Sequence, residues 1–270
     1  MNIKFIDMKK NILIFSTVLI TLSLIAFGVI NSTFINTDFT NSSDSKTIAM
    51  KDMDNKIFTE FIYDVGPRFS PIKKRAIDNA TTMETFFDAE HIRSMVTLKS
   101  VSITTFIDEK YSDILETGYT KELTVTQIEF LKSLDYSTNI RVRADYEEVN
   151  KKTGILEDSY ATPHLTIIPE TQARYSEGKD ALKTFLREHS IVVRENVDPE
   201  KLQPAKLFFT VNTEGNIENV RLDRSSNYPL VDKKMIELIS KVPGTWKPAE
   251  NFKGERVNQE LVVSFGLMGC

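Results

Sequence analysis

The chain has 270 residues, 41% of them hydrophobic, with 34 Lys and Arg against 38 Asp and Glu for a formal net charge of -4. That length holds about two ordinary domains of roughly 100 to 200 residues each. An acidic balance without a basic footprint argues against a nucleic-acid partner, because neutralising phosphates needs clustered cations. The single cysteine, Cys270, excludes an intrachain disulfide framework.

Lys9 and Lys10 precede an apolar run over residues 12–30 that contains no charged residue. As a helix, such a run of roughly nineteen residues spans about 28 Å, close to the hydrocarbon thickness of a bilayer. Two readings of residues 1–30 stand: a retained membrane anchor, or a signal peptide cleaved at the small-x-small site Ala26-Phe27-Gly28. In both, the lysines hold the N-terminus in the cytoplasm and everything after Asn31 is exported. The expected location is the inner membrane, single-pass with periplasmic bulk, or the soluble periplasm after cleavage. Residues 31–55 are rich in Asn, Ser, Thr and Asp and read as a flexible spacer.

Residues 56–169 read as a first α+β domain. Residues 96–107 alternate and are rich in β-branched side chains, 113–117 follow a polar turn, and 123–134 have helical spacing at Ile128, Leu131 and Leu134. Residues 139–146 are again strand-like. Lys151 to Gly154 make a turn before 155–160, and 165–168 close the region.

Residues 170–270 read as a second domain. A helix over 179–188 carries Ala181, Leu182, Phe185 and Leu186 on one stripe. Leu207, Phe209 and Val211 alternate on a strand that ends in a turn at Asn212 to Gly215, where the glycine supplies a positive φ. Residues 217–223 form the return strand. Pro229 starts a helix whose apolar face is Val231, Met235, Leu238 and Ile239, and Pro243-Gly244 stops it. A final strand places Val257, Leu261, Val263 and Phe265 on one face and Asn258, Glu260 and Ser264 on the other. The order strand, turn, strand, helix, strand thus occurs twice, which marks the first domain as a diverged duplicate of the second.

The segment 168–268 resembles the C-terminal domain of TonB-type energy transducers, particularly the form found in Bacteroidetes-like bacteria. The resemblance rests on an ordered set: the helix in residues 178–186, the strand–Gly215–strand stretch over 208–222, an apolar helix, Trp246-Lys247-Pro248, Gly254 and a last apolar strand. It implies a two-layer ββαβ domain whose final strand lies at a sheet edge. An outer-membrane TonB-dependent receptor peptide would then pair with it by strand addition, since an unpaired edge templates another chain. The implied edge is Val257, Asn258, Gln259, Glu260, Leu261, Val262, Val263, Ser264 and Phe265. Of these, Asn258, Glu260 and Ser264 would face the partner. Trp246 and Pro248 are expected to pack the helix-to-strand corner.

The same resemblance implies ExbB/ExbD-like inner-membrane partners and energy-coupled transport, but three features depart from the family. Family transducers carry a histidine in the membrane helix, and the run over 12–30 has no ionisable residue. The spacer is short and free of proline. Thr171 to Tyr175 also lack the proline that precedes the family's first helix. A non-energised envelope scaffold built of TonB-like modules is therefore the alternative. His91, His164 and His189 have no metal-ligand spacing, no Gly-rich phosphate loop is present, and Cys270 has no base that sequence can identify. An enzyme, a metal and a cofactor are not expected.

Overall fold

The computed structural model describes residues 61–107 and 110–267. The membrane anchor or signal peptide, the spacer and Cys270 lie outside the described residues. Among the described residues no helix is long and apolar enough to cross a membrane.

The fold is mixed α+β with more strand than helix. The described chain opens with strand β1 (Ile62–Gly66) and then builds its first half from β2 (Ser70–Lys73), α1 (Lys74–Asp78), a 3₁₀ turn (Met83–Thr85), α2 (Ala89–Ser94), β3 (Thr97–Ile107), β4 (Lys110–Gly118), α3 (Val125–Ser133), β5 (Asn139–Val149), β6 (Leu156–Ala161) and β7 (His164–Ile168). The second half contains β8 (Arg174–Tyr175), α4 (Lys179–His189), α5 (Ile191–Arg194), β9 (Ala205–Val211), β10 (Ile217–Arg224), α6 (Pro229–Ser240), three two-residue strands β11 (Trp246–Lys247), β12 (Ala249–Glu250) and β13 (Arg256–Val257), and β14 (Gln259–Gly266).

In the first half the strands run β2-β7-β5-β3-β4, with β6 also paired to β5. Alternation decides which face is dry: Val101, Ile103, Ile140, Val142, Ala144 and Tyr146 point to one side and form a core with Ile77, Met83 and Leu131. Helix α3 is held over that core by a capping box between Thr124 and Gln127. The Gln127 amide is fully buried and donates to the carbonyls of Val101 and Glu116, so it ties the helix start to β3 and β4.

The second sheet has the order β1-β14-β9-β10. Its core gathers Leu207, Phe209, Val211, Leu261, Val263 and Phe265 from the sheet, Leu182 and Leu186 from α4, and Val231, Met235, Leu238 and Ile239 from α6. Helix α6 starts at a proline, whose missing N–H costs nothing in the first turn. Its Asp232 carboxylate turns back to accept from Ser226 N at 2.9 Å and Ser226 Oγ at 2.6 Å, and also from Ser225 Oγ.

Both sheets contain the unit strand, strand, helix, strand with the third strand inserted beside the first, as β5-β3-β4 and as β14-β9-β10. The boundary between the halves is not a single cut in the sequence. Residues 61–66, expected in the first domain, belong to the second sheet, and Phe61, Tyr63 and Val65 are part of its core.

Candidate partner-binding strand

Strand β14 is shorter than the expected strand over residues 257–265, and it is not an edge. Val257 belongs to β13 and pairs with Ala249; Asn258 separates the two strands and accepts a hydrogen bond from Thr213 N. From Gln259 to Phe265 the strand pairs with β9, and from Val262 to Gly266 its other side pairs antiparallel with β1. The register on that side sets Gly66 against Val262, Val65 against Val263, Asp64 against Ser264, Tyr63 against Phe265 and Ile62 against Gly266. The position that the resemblance reserves for a receptor peptide is thus held by the chain itself. The reason is visible in residues 61–65: Phe61, Tyr63 and Val65 recur with the period of a half-buried strand and are 4%, 5% and 8% exposed.

Below Val262 the β14 edge is closed differently. Gln259 is buried and its Oε1 accepts from Ala173 N at 2.7 Å, while the Glu260 backbone N–H donates to Ser137 Oγ at 2.9 Å. Ser137 sits at φ 64, in the turn between α3 and β5, so the first half of the chain supplies the acceptor.

The outward set also lies elsewhere than expected. The Glu260 carboxylate accepts from Arg221 Nη1 at 2.6 Å, and Glu260 lines grooves with Tyr136 and Ser137 rather than facing open solvent. Val262 and Phe208, on the same face, are 4% and 3% exposed. The Arg68 guanidinium lies 5.2 Å from the Phe208 ring and 5.1 Å from the Phe106 ring, joining the two halves by cation–π contacts. Of the three residues expected to meet a partner, Asn258 alone is exposed, and Ser264 is half-buried opposite Asp64.

Strand β1 is fastened along its length. The Tyr63 hydroxyl hydrogen-bonds Ser190 Oγ, and the Arg194 guanidinium lies over the rings of Phe61 and Tyr63 at 5.4 and 5.9 Å. Asp64 pairs with Lys179 at 2.8 Å and Lys183 at 3.1 Å on successive turns of α4. Partial burial raises the Asp64 carboxyl, but hydrogen bonds and charge from the two lysines outweigh it and leave the group below its ordinary value. At the end of β1 a cavity of about 400 Å³ opens, lined by Gly66, Pro67, Tyr175, Leu182, Trp246 and Leu261 among others.

Gly215, Trp246 and Pro248 meet in a structural corner, and Gly254 lies in a separate turn. Gly215 has φ 83, and a Cβ there would stand 2.3 Å from the Trp246 carbonyl oxygen and 3.7 Å from Pro248 Cδ. The β9–β10 turn can therefore close on the Trp246-Lys247-Pro248 segment only with glycine at this position. Trp246 is 6% exposed and packs on Tyr175 and Phe209 at 5.6 and 5.3 Å between centroids. Lys247 is exposed in β11 and pairs with Arg174. Gly254 has φ 78 in the turn that joins β12 to β13.

His164 sits on β7 in an aromatic group with Phe69, Phe106 and Tyr111, whose hydroxyl is 3.0 Å from His164 Nε2. Burial first, then the charge of Arg141, pushes the imidazole below its ordinary value. Among the described residues no group of three or more His, Cys, Asp or Glu is placed to hold a metal.

Sequence reasoning missed β1 and Ser137. The alternation Phe61, Tyr63, Val65 carried the signal for the strand, whereas nothing local marks Ser137 as the cap of a residue more than a hundred positions away. Comparison with family models, with curated proteins and with solved structures finds no match for this chain.

Proposed function

We propose that this chain is a non-enzymatic cell-envelope protein, exported behind residues 12–30, whose C-terminal ββαβ unit is TonB-like and binds an extended segment of a partner by strand addition to β14. The first half is a diverged copy of the same unit and buttresses it. The observation behind this reading is that the outer side of β14 takes a short antiparallel strand, β1, that reaches it from far away in the sequence. Backbone pairing alone nets about 0.5 to 1.5 kcal/mol per hydrogen bond against an ordering cost of about 1 to 2 kcal/mol per residue, so inward-facing side chains must decide which strand binds. Receptor peptides of the outer membrane are the partner class that the resemblance suggests.

A second reading, a non-energised scaffold, is favoured by a specific observation. Both ββαβ units have the corresponding strand occupied from within the chain, β14 by β1 and β5 by β6 and β7. The run over 12–30 also lacks an ionisable group for coupling to a proton gradient, which leaves ExbB/ExbD-like partners without their expected contact. Titration with peptides from the source organism's outer-membrane receptors separates the two. Saturable binding to a receptor peptide is expected from strand acceptance, and failure of every such peptide to bind leaves the scaffold.

A further inference from the structure

The geometry points to β1 as a built-in stand-in for the partner strand, so that its residues describe the ligand that β14 accepts. This rests on the strand-acceptor reading given above. The strand class follows from what touches each position. Positions matching Phe61, Tyr63 and Val65 enter the core and call for large apolar side chains. The position matching Asp64 meets Lys179 and Lys183 and calls for a carboxylate. At the position matching Gly66, a Cβ would meet nothing within 4 Å, so any small residue fits there.

The end of the groove distinguishes an incoming strand from β1. Register continues as Tyr63 to Phe265 and Val65 to Val263, so the next inward position stands opposite Leu261. In β1 that position is Pro67, where the strand ends and the chain departs toward β2. The cavity of about 400 Å³ beside Trp246, Tyr175, Leu182 and Leu261 is left there. A separate polypeptide is not obliged to turn away, and a leucine or phenylalanine at this position would fill space that β1 leaves open. The occupant is therefore an extended partner segment with apolar residues at alternate positions, an acidic residue between the second and third of them, and a fourth large apolar residue at its end. One further residue cannot extend the ladder, because the Glu260 N–H is already held by Ser137.

The test uses the full-length chain with Cys270→Ser, Asp64→Cys and Ser264→Cys, which sets a disulfide across a paired position; Cα separations of about 4.5 to 5.5 Å in antiparallel pairs suit the bond. The probe is the labelled peptide Phe-Ile-Tyr-Asp-Val-Gly-Leu, followed by fluorescence polarisation. The reduced protein is expected to bind it at least tenfold more tightly than the oxidised protein. Changing the peptide's Asp to Lys, or removing its terminal Leu, should weaken binding several-fold. In the otherwise native chain, Asp64→Asn should strengthen binding by loosening β1 without cutting it. Equal binding to oxidised and reduced protein would show that the peptide does not take the place of β1, overturning the inference while strand binding as such survives. Absence of binding to both forms and to Asp64→Asn would overturn the inference that β1 describes the ligand, while the strand-acceptor reading falls only if the receptor peptides fail to bind as well.

Discussion

Replacing Tyr63 by alanine tests whether β1 is a detachable element or an integral part of the core. The ring is 5% exposed, lies 5.2 Å from the Phe61 ring, and carries a hydroxyl bonded to Ser190. Removing a buried aromatic side chain costs about 3 to 5 kcal/mol, of which the hydroxyl accounts for about 1 kcal/mol, so Tyr63→Phe should recover most of the loss. If β1 can leave alone, that energy is withdrawn first from a local opening, and each 1.4 kcal/mol is a factor of ten in its equilibrium. Amides of residues 62–66 and of their partners in 262–266 should then exchange about a hundredfold to a few thousandfold faster. Amides joining β9 to β10 should change far less. Native-state hydrogen exchange resolved by residue reads both regions in one experiment. Equal acceleration in the β9–β10 pair would mean that β1 opens only with the whole domain, and exchange of β1 for a partner strand would lose its physical basis.

Gly215→Ala should destabilise the fold by more than about 2 kcal/mol, because a left-handed backbone is combined with a 2.3 Å approach to the Trp246 carbonyl. Gly254→Ala has the same backbone sign but open space, so its cost should stay near 1 kcal/mol; equal denaturation midpoints for the two variants would refute the close approach. Asp232→Ala should cost about 1 to 3 kcal/mol in denaturant titrations, since it leaves the buried Ser226 N–H without its acceptor while the Ser226 hydroxyl keeps only Tyr228, and a loss below half a kilocalorie would contradict the network. Two pH effects fall in different windows but have the same sign. The lowered Asp64 group stabilises the fold above its unfolded value of about 4 and loses that contribution as pH falls through the folded value, so the protection of β1 amides relative to their intrinsic exchange rates should fall in acid, and Asp64→Asn should flatten the profile. His164 is held neutral, so its contribution is complete above about pH 6.5 and falls away on acidification below that; an NMR titration placing it at or above the ordinary histidine value would refute the burial argument.

Much of the second sheet was legible because its elements obey one period each. The alternation Leu207, Phe209, Val211 and the helical spacing Val231, Met235, Leu238, Ile239 all lead to side chains that are buried in the core. Gly215 was legible as a turn, but its approach to Trp246 was not, since thirty residues separate them in the chain. Glu260 shows the limit most clearly. From the strand pattern it faces outward, and a charge reversal there would pass for a mild probe of recognition. In the fold it pairs with Arg221 while its N–H is capped by Ser137, so the same substitution disturbs the junction between the two halves.

One local sign did bear on the last strand. Leu261, Val262 and Val263 are consecutive and apolar, and a strand with one wet face alternates instead. All three are buried, Leu261 and Val263 toward the helices and Val262 on the face shared with Phe208. Such a run announces that both faces are covered, yet it says nothing about the edges, because edge pairing is made by the backbone and every residue type has the same backbone groups except proline. Whether β14 is an edge is therefore decided by residues 61–66, which stand almost two hundred positions upstream and carry no feature beyond their own alternation. The edges that remain open show by contrast what a lasting edge looks like: β10 has two breaks of register, Asn219 at φ 54 and charged residues Glu218, Arg221 and Arg224, all of which hinder a further strand. β14 has no break of register with β9 or β1, and its one charged residue, Glu260, is paired with Arg221. A strand that is regular and largely apolar, and paired along five residues to a segment that ends beside an open groove, is the geometry on which the proposed acceptor role rests.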